Sequence, residues 1–159
     1  MFEPVTGTWQ YVVADEATSQ AVIIDPVLDF DPVSQAITTA AADSLMALVN
    51  EHGYHIVHIL ETHAHADHLT AASYLQSRLA RQQGHKPPIG IGKRIVQVQK
   101  LFGQRYGVPA EEYGIVFDKL FEDDEMFEIG DLKGTAIHLP GHTPDHLGYM
   151  IGGKVNPVF

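Results

Sequence analysis

The chain has 159 residues, 45% of them hydrophobic and 19% charged, a balance that suits a globular fold with one modest core. Its 20 acidic residues outnumber its 10 basic ones and no run of Lys or Arg occurs, so the surface should repel phosphate and nucleic acid is excluded as a partner. Cysteine is absent, which excludes disulfides and thiolate ligands and leaves the ten histidines and the carboxylates to hold any transition metal.

The first residues, Met1-Phe2-Glu3-Pro4, lack the basic and apolar regions of a secretory signal, and no apolar stretch approaches the roughly 20 residues needed to span a bilayer. The expected setting is cytoplasmic, with no membrane contact; a mitochondrial matrix location is the eukaryotic alternative. Thr8 to Ala14 places Trp9, Tyr11 and Val13 at period two, and Ala21 to Ile24 is a short apolar run, so the two predict a β-hairpin that Asp25-Pro26 ends. Residues 27–41 hold two prolines and small polar side chains and read as a loop. Leu45, Met46, Leu48 and Val49 follow helical spacing and Gly53 closes the helix. Ile56 to Leu60 has the continuous apolar character of a strand buried on both faces.

After that strand comes Glu61-Thr62-His63-Ala64-His65-Ala66-Asp67-His68, followed by Leu69, Ala72, Leu75 and Leu79 at helical intervals up to Gly84. Pro87 to Ile91 reads as a strand, and Ile95, Val98, Leu101 and Phe102 form one face of a further helix, before Pro109 and Gly114 interrupt the pattern. Three short strands close the chain: Met126 to Ile129, Gly134 to Leu139 and His146 to Ile151, with Pro140-Gly141-His142-Thr143-Pro144 as the last turn. A sheet covered by helices is the implied architecture.

The histidines at the strand-to-helix junction carry the chemistry. His63 and His65 are two apart, so on extended backbone both rings point the same way, and a turn directly after can bring Asp67 and His68 to the same point. Imidazole and carboxylate suit zinc, iron or manganese, and α/β proteins place their sites beyond the carboxyl ends of strands. His142, stiffened between two prolines, is the candidate from elsewhere in the chain. Thr62 and Thr70 bracket the loop and can orient ligands, although capping a helix is the simpler role for Thr70. His138 and His146 are either structural or hydrogen-bonded to ligands. His52, His55, His58 and His85 are expected to face solvent, and Glu122-Asp123-Asp124-Glu125 is expected to be a solvated turn. Gly90-x-Gly92 is too short for a phosphate loop.

Thr62-His63-Ala64-His65-Ala66-Asp67-His68 matches the His-x-His-x-Asp-His signature of the metallo-β-lactamase superfamily, and Leu139-Pro140-Gly141-His142-Thr143-Pro144 resembles its second metal loop. The run Ala66-Asp67-His68-Leu69-Thr70, the opening hairpin and Asp25-Pro26 resemble the persulfide dioxygenase branch, which is related to glyoxalase II. The resemblance implies an α/β fold, the αββα sandwich, with residues 1–159 as its N-terminal part plus the start of its second half. It implies metal ligands among His63, His65, Asp67, His68 and His142, with Asp67 and His68 also serving catalysis.

For the dioxygenases the resemblance implies one Fe(II) on His63, His142 and a later aspartate, with glutathione persulfide and O2 converted to sulfite and glutathione. For the hydrolases it implies zinc, one ion or two, on His63, His65 and His142 and on Asp67 and His68, activating water against an S-acyl glutathione thioester. The aspartate of the family would follow the strand after the Pro-Gly-His turn, and the sequence stops at Lys154 to Phe159, so the domain is expected to be truncated. Asp145 is the nearby carboxylate and reads as a turn or cap residue. A non-catalytic remnant that binds metal weakly is the reading from another class. A homo-oligomer is compatible with all three.

Overall fold

The structure is a computed structural model that describes residues 1–152. Its centre is a five-stranded sheet built from β3 (Tyr11–Asp15), β4 (Gln20–Ile24), β7 (His55–Leu60), β9 (Ile89–Gly92) and β10 (Lys119–Phe121), in the order β10-β9-β7-β4-β3. The four strands from β10 to β4 run parallel, and β3 pairs antiparallel with β4 as the anticipated hairpin, except that Thr8–Trp9 leaves it and pairs with Phe2–Glu3 instead. Strand β4 shows why a continuous apolar run belongs at such a position. Ala21 and Ile23 pack with the helices α1 (Ala40–His52) and α2 (Ala72–Gln83), while Val22 and Ile24 pack on the opposite face. The fully buried Val22 and Ile23 side chains each stabilise the fold by about 1.5–3 kcal/mol.

That opposite face is covered by a second sheet, β11 (Met126–Ile129), β12 (Leu132–His138) and β13 (Leu147–Ile151), all antiparallel. Phe121, Phe127, Ile129, Ala136 and Leu147 fill the space between the sheets. The described residues thus form three layers, helices on one sheet and that sheet on another. Gly90 and Gly92 permit the close approach: a Cβ at Gly90 would meet a ring carbon of Phe121 at 2.7 Å, and one at Gly92 would meet Leu147 at 2.8 Å. Packing, and not a phosphate, accounts for these two glycines.

Several elements depart from the expectation. Residues 27–41 are no simple loop: β5 (Val27–Asp31) and β6 (Ala36–Thr38) form a hairpin, and β5 also pairs with β8 (Leu69–Thr70), so α2 begins at Ala72 and not at Leu69. The hairpin lies on the surface with β6 wholly exposed, so no buried face imposed an apolar pattern that could be read. Strand β10 leaves no mark in the sequence pattern because it contributes only three residues, whose pairing with β9 is long-range. The helix α3 (Ile95–Tyr106) exists, but of its expected apolar face only Ile95 is buried, Val98 is half-buried, and Leu101 and Phe102 are exposed. The short helix α4 (Ala110–Tyr113) sits between Pro109 and Gly114. No helix among the described residues is long and apolar enough to cross a membrane. The tail from Lys154 onward lies outside the described residues.

Candidate metal centre

Strand β7 ends at Leu60 in the middle of the central sheet, and the loop from Glu61 to His68 leaves from its carboxyl end. The turn 139–146, between β12 and β13, closes over it. Three bonds tie the loop to this turn and to β13 behind it: the Leu147 amide donates to the Thr62 carbonyl at 2.8 Å, the Tyr149 hydroxyl to the Glu61 carbonyl at 2.8 Å, and the Ala64 amide to Asp145 Oδ2 at 3.2 Å. Ring centroids of His63 lie 4.2 Å from His65 and 4.8 Å from both His142 and His146, and His65 lies 4.2 Å from His68. His63, His65, Asp67, His68, His142 and His146 line one cleft, with Asp25 and Thr62 at its base and Thr8, Trp9 and Tyr11 along its rim. All five residues anticipated from sequence therefore converge, and His146 joins them, its ring stacked on His63.

The hydrogen bonds around the rings assign roles to their nitrogens. Asp25 is 8% exposed and accepts from the Thr62 amide and hydroxyl, both at 2.7 Å. Since the single Thr62 proton goes to Asp25, the Thr62 oxygen must accept from His63 Nδ1, 2.8 Å away, and His63 Nε2 keeps its lone pair. His65 directs Nε2 at Asp25 Oδ1 and Glu61 Oε2, each at 3.2 Å, leaving Nδ1 outside these bonds. His68 Nε2 is buried and without a partner, as is His146 Nδ1. Such orphaned buried nitrogens beside carboxylate-braced rings are what a cation would complete.

Charge follows the same arrangement. Burial alone would depress His65, but the hydrogen bonds and charges of Asp25 and Glu61 outweigh it and raise its pKa to about 10. His63 is lowered to about 4, first by burial and then by the charge of His65 and His146. His68 is lowered by burial and by His65. Glu61 is raised by burial and by the charge of Asp25, although its bonds to His65 and Thr70 oppose this. The two buried carboxylates thus favour a cation beside them, and where a proton occupies that place on His65 a metal ion would have to displace it. His65, Asp67 and His68 bring one ligand atom each within 4.8 Å of one another, and so do Asp25, Glu61 and His65. The donor set of imidazole and carboxylate fits zinc, iron or manganese.

The metallo-β-lactamase superfamily model matches residues 4–154. The chain belongs to this superfamily. A β-lactamase hydrolase-like protein of Xylella fastidiosa is 42% identical over 152 residues, which cover 95% of this chain and 34% of that protein. The mitochondrial persulfide dioxygenase ETHE1 of Homo sapiens is 39% identical over 151 residues, 95% of this chain and 46% of the relative. The crystal structure of ETHE1 from Myxococcus xanthus superposes with a TM-score of 0.68 at 25% identity, covering 95% of this chain and 52% of that one. The chain spans about a third to a half of the length of these relatives.

Asp25, Glu61 and Asp145 are the residues whose importance sequence reasoning missed. Asp25 was legible as a strand terminator and, with Pro26, as part of the branch resemblance, but not as the residue at φ +49° that braces the loop. Glu61 is 2% exposed and accepts from Thr70 as well as facing His65. Thr70 also accepts from the Ala72 amide at 3.0 Å, so it serves both the loop and the start of α2. Asp145, expected as a turn or cap residue, is 1% exposed and accepts from the Ala64 amide, so it also clamps the two segments together. His138 donates from Nε2 to the Pro144 carbonyl at 3.0 Å and shapes the turn. His58, expected in solvent, is half-buried with its ring edge-on to Phe127, 5.9 Å between centroids. Glu122, Asp123 and Glu125 do lie at the surface, paired with Lys93, Arg94 and Lys119.

Proposed function

We propose that this chain carries the metal-binding part of a superfamily enzyme acting on a small thiol-derived molecule, with oxidation of a persulfide such as glutathione persulfide by dioxygen as its reaction. The observation that carries the reading is the bracing of the 61–68 loop, where three imidazoles are held through hydrogen bonds that end on carboxylates or hydroxyls while each retains one uncommitted nitrogen. The persulfide dioxygenase name of the human relative supports the choice of reaction. In the dioxygenase reading His63 and His142 are the ligands assigned, with His65, Asp67 and His68 beside them, and in the hydrolase reading all five hold metal. Fe(II) bound there would supply a place for sulfur and dioxygen to meet, whereas zinc would supply activated water for thioester cleavage.

The chain's own residues do the rest. Asp25 and Thr62 fix the tilt of His63, and Asp25 with Glu61 fixes that of His65. Asp67, with its side chain 64% exposed at the mouth, is placed to take or return a proton as substrate enters. Beside it, Val5, Thr6, Phe30, Pro32 and Leu69 border a cleft of about 520 Å³ that shares Asp67 and His68 with the histidine cluster and gives room for the body of a substrate. The test is metal analysis of the purified protein together with persulfide-dependent oxygen uptake and S-acyl glutathione hydrolysis. About one iron per chain with oxygen consumption is expected. Zinc with thioester cleavage would replace the dioxygenase by a hydrolase, and neither activity would leave a non-catalytic metal-binding protein.

A further inference from the structure

We propose that the N-terminal hairpin fixes the tautomer of His68 through a relay of two hydroxyls, Glu3 to Thr6 to Thr8, so that His68 Nε2 keeps its lone pair for a divalent transition cation. The inference rests on the metal-binding reading above, but the tautomer is a property of the metal-free chain and is measurable by itself.

Strands β1 (Phe2–Glu3) and β2 (Thr8–Trp9) pair Glu3 with Thr8 and bring the hairpin against the metal loop. The His68 side chain is only 1% exposed. Its Nδ1 lies 3.3 Å from Thr8 Oγ1 and 3.4 Å from Asp67 Oδ1, while Nε2 is buried without a partner. Thr8 Oγ1 is 2.9 Å from Thr6 Oγ1, which is 2.5 Å from Glu3 Oε2. Glu3, 5% exposed, also accepts from the Val5 amide at 2.9 Å and the Thr6 amide at 2.7 Å. Burial pushes the Glu3 carboxyl up, but the bonds from Thr6 and Val5 outweigh it and leave the pKa below the ordinary range, so Glu3 accepts only.

The direction of every bond then follows from counting protons, since a hydroxyl has one to donate. Thr6 is in donating geometry to both Glu3 Oε2 and Thr8 Oγ1; the carboxylate, at 2.5 Å against 2.9 Å, takes its single proton, so the contact between the two hydroxyls is made by the Thr8 proton. Thr8 donates to Thr6, so its oxygen can only accept from His68. Asp67 Oδ1, the second neighbour of His68 Nδ1, is likewise an acceptor. The proton of neutral His68 is thereby placed on Nδ1. The same logic, carboxylate to hydroxyl to Nδ1, operates from Asp25 through Thr62 on His63. Two ligands reached from different parts of the chain are poised by one device, which makes Glu3, Thr6 and Thr8 positioning residues of the centre.

The experiment uses metal-free protein labelled with 15N-histidine and long-range proton–nitrogen correlation NMR. His68 should be in the Nδ1–H form. Thr8→Val, which keeps shape and removes the acceptor, should move population to the Nε2–H form and weaken Zn(II) or Co(II) binding by about ten- to a hundredfold. Thr8→Ser should restore both. Thr6→Val leaves the Thr8 proton without its acceptor and should shift the tautomer in the same direction, so it keeps the test open if Thr8→Val fails to fold in a thermal-unfolding control. Wild-type His68 in the Nε2–H form, or folded Thr8→Val and Thr6→Val with an unchanged tautomer, would overturn the relay. A relay that responds as expected in a chain that binds neither metal would sustain this inference and defeat the metal-binding reading instead.

Discussion

In the loop from Glu61 to His68 each of the three imidazoles hydrogen-bonds to a side chain, and the bonds lead to buried carboxylates at Asp25, Glu61 and Glu3. In the turn from Leu139 to His146, His142 has no hydrogen bond to its ring among the described residues, and His146 Nδ1 is buried without one. That turn is held by its frame: Pro140 and Pro144, the Leu139 amide on the His146 carbonyl at 2.9 Å, His138 on Pro144, and Asp145 on Ala64. One half of the site is preorganised by bonds to the imidazoles themselves and the other by bonds around them. Removing a brace in the first half should therefore cost stability and metal affinity together, whereas removing the ring of the second should cost affinity alone.

The largest effect should come from Asp25→Ala. It strands the Thr62 amide and hydroxyl and leaves a cationic His65 with Glu61 alone, and loss of one partner of such a buried set destabilises by about 3–5 kcal/mol. Urea unfolding measures it. Asp25→Asn tolerates the positive φ and so separates loss of charge from loss of conformation. Next, Asp145→Ala should cost about 1 kcal/mol by removing the part-buried bond from the Ala64 amide, and should speed hydrogen exchange at that amide while leaving exchange in α1 unchanged. Equal acceleration in both would mean that Asp145 supports the whole fold and not the junction of the two segments.

A third prediction concerns a histidine that belongs to neither half. His58, on the strand that carries the loop, has its pKa lowered by burial and then by the charge of Lys119 and His85. Below an unfolded pKa of about 6.5 the unfolded chain binds this proton more readily than the folded one, so the contribution is fully present above that pH and is lost as pH falls toward the folded value. His58→Phe should therefore flatten the decline of the urea midpoint between about pH 7.5 and pH 5, compared with the parent chain. An unchanged slope would assign the acid sensitivity elsewhere. The smallest change in stability is expected for His142→Ala, within about 0.5 kcal/mol for an exposed ring without hydrogen bonds. Titration with Zn(II) should nevertheless show weakened binding, and a stability loss like that of Asp25→Ala would erase the distinction between the two halves.

Much of this was legible in the residues themselves. The period-two run at Tyr11, the apolar runs of β4 and β7 and the glycines ending α1 and α2 placed the central sheet and its helices, because burial on both faces leaves a mark in composition. The spacing of His63, His65, Asp67 and His68 on a strand-to-helix junction put four polar groups in one place without any long-range information. Tertiary structure decided the rest. That Asp25 lies under Thr62, that Glu61 turns inward, that Asp145 reaches Ala64 and that Glu3 acts on His68 through two hydroxyls are contacts spanning from 4 to 81 positions, and a lone carboxylate in sequence looks the same whether water or a buried amide is its partner. The hairpin β5–β6 and the exposed face of α3 were hidden for the complementary reason. A surface element buries nothing that would oblige its sequence to keep a period, whereas a buried carboxylate is obliged to find partners that only the folded chain supplies.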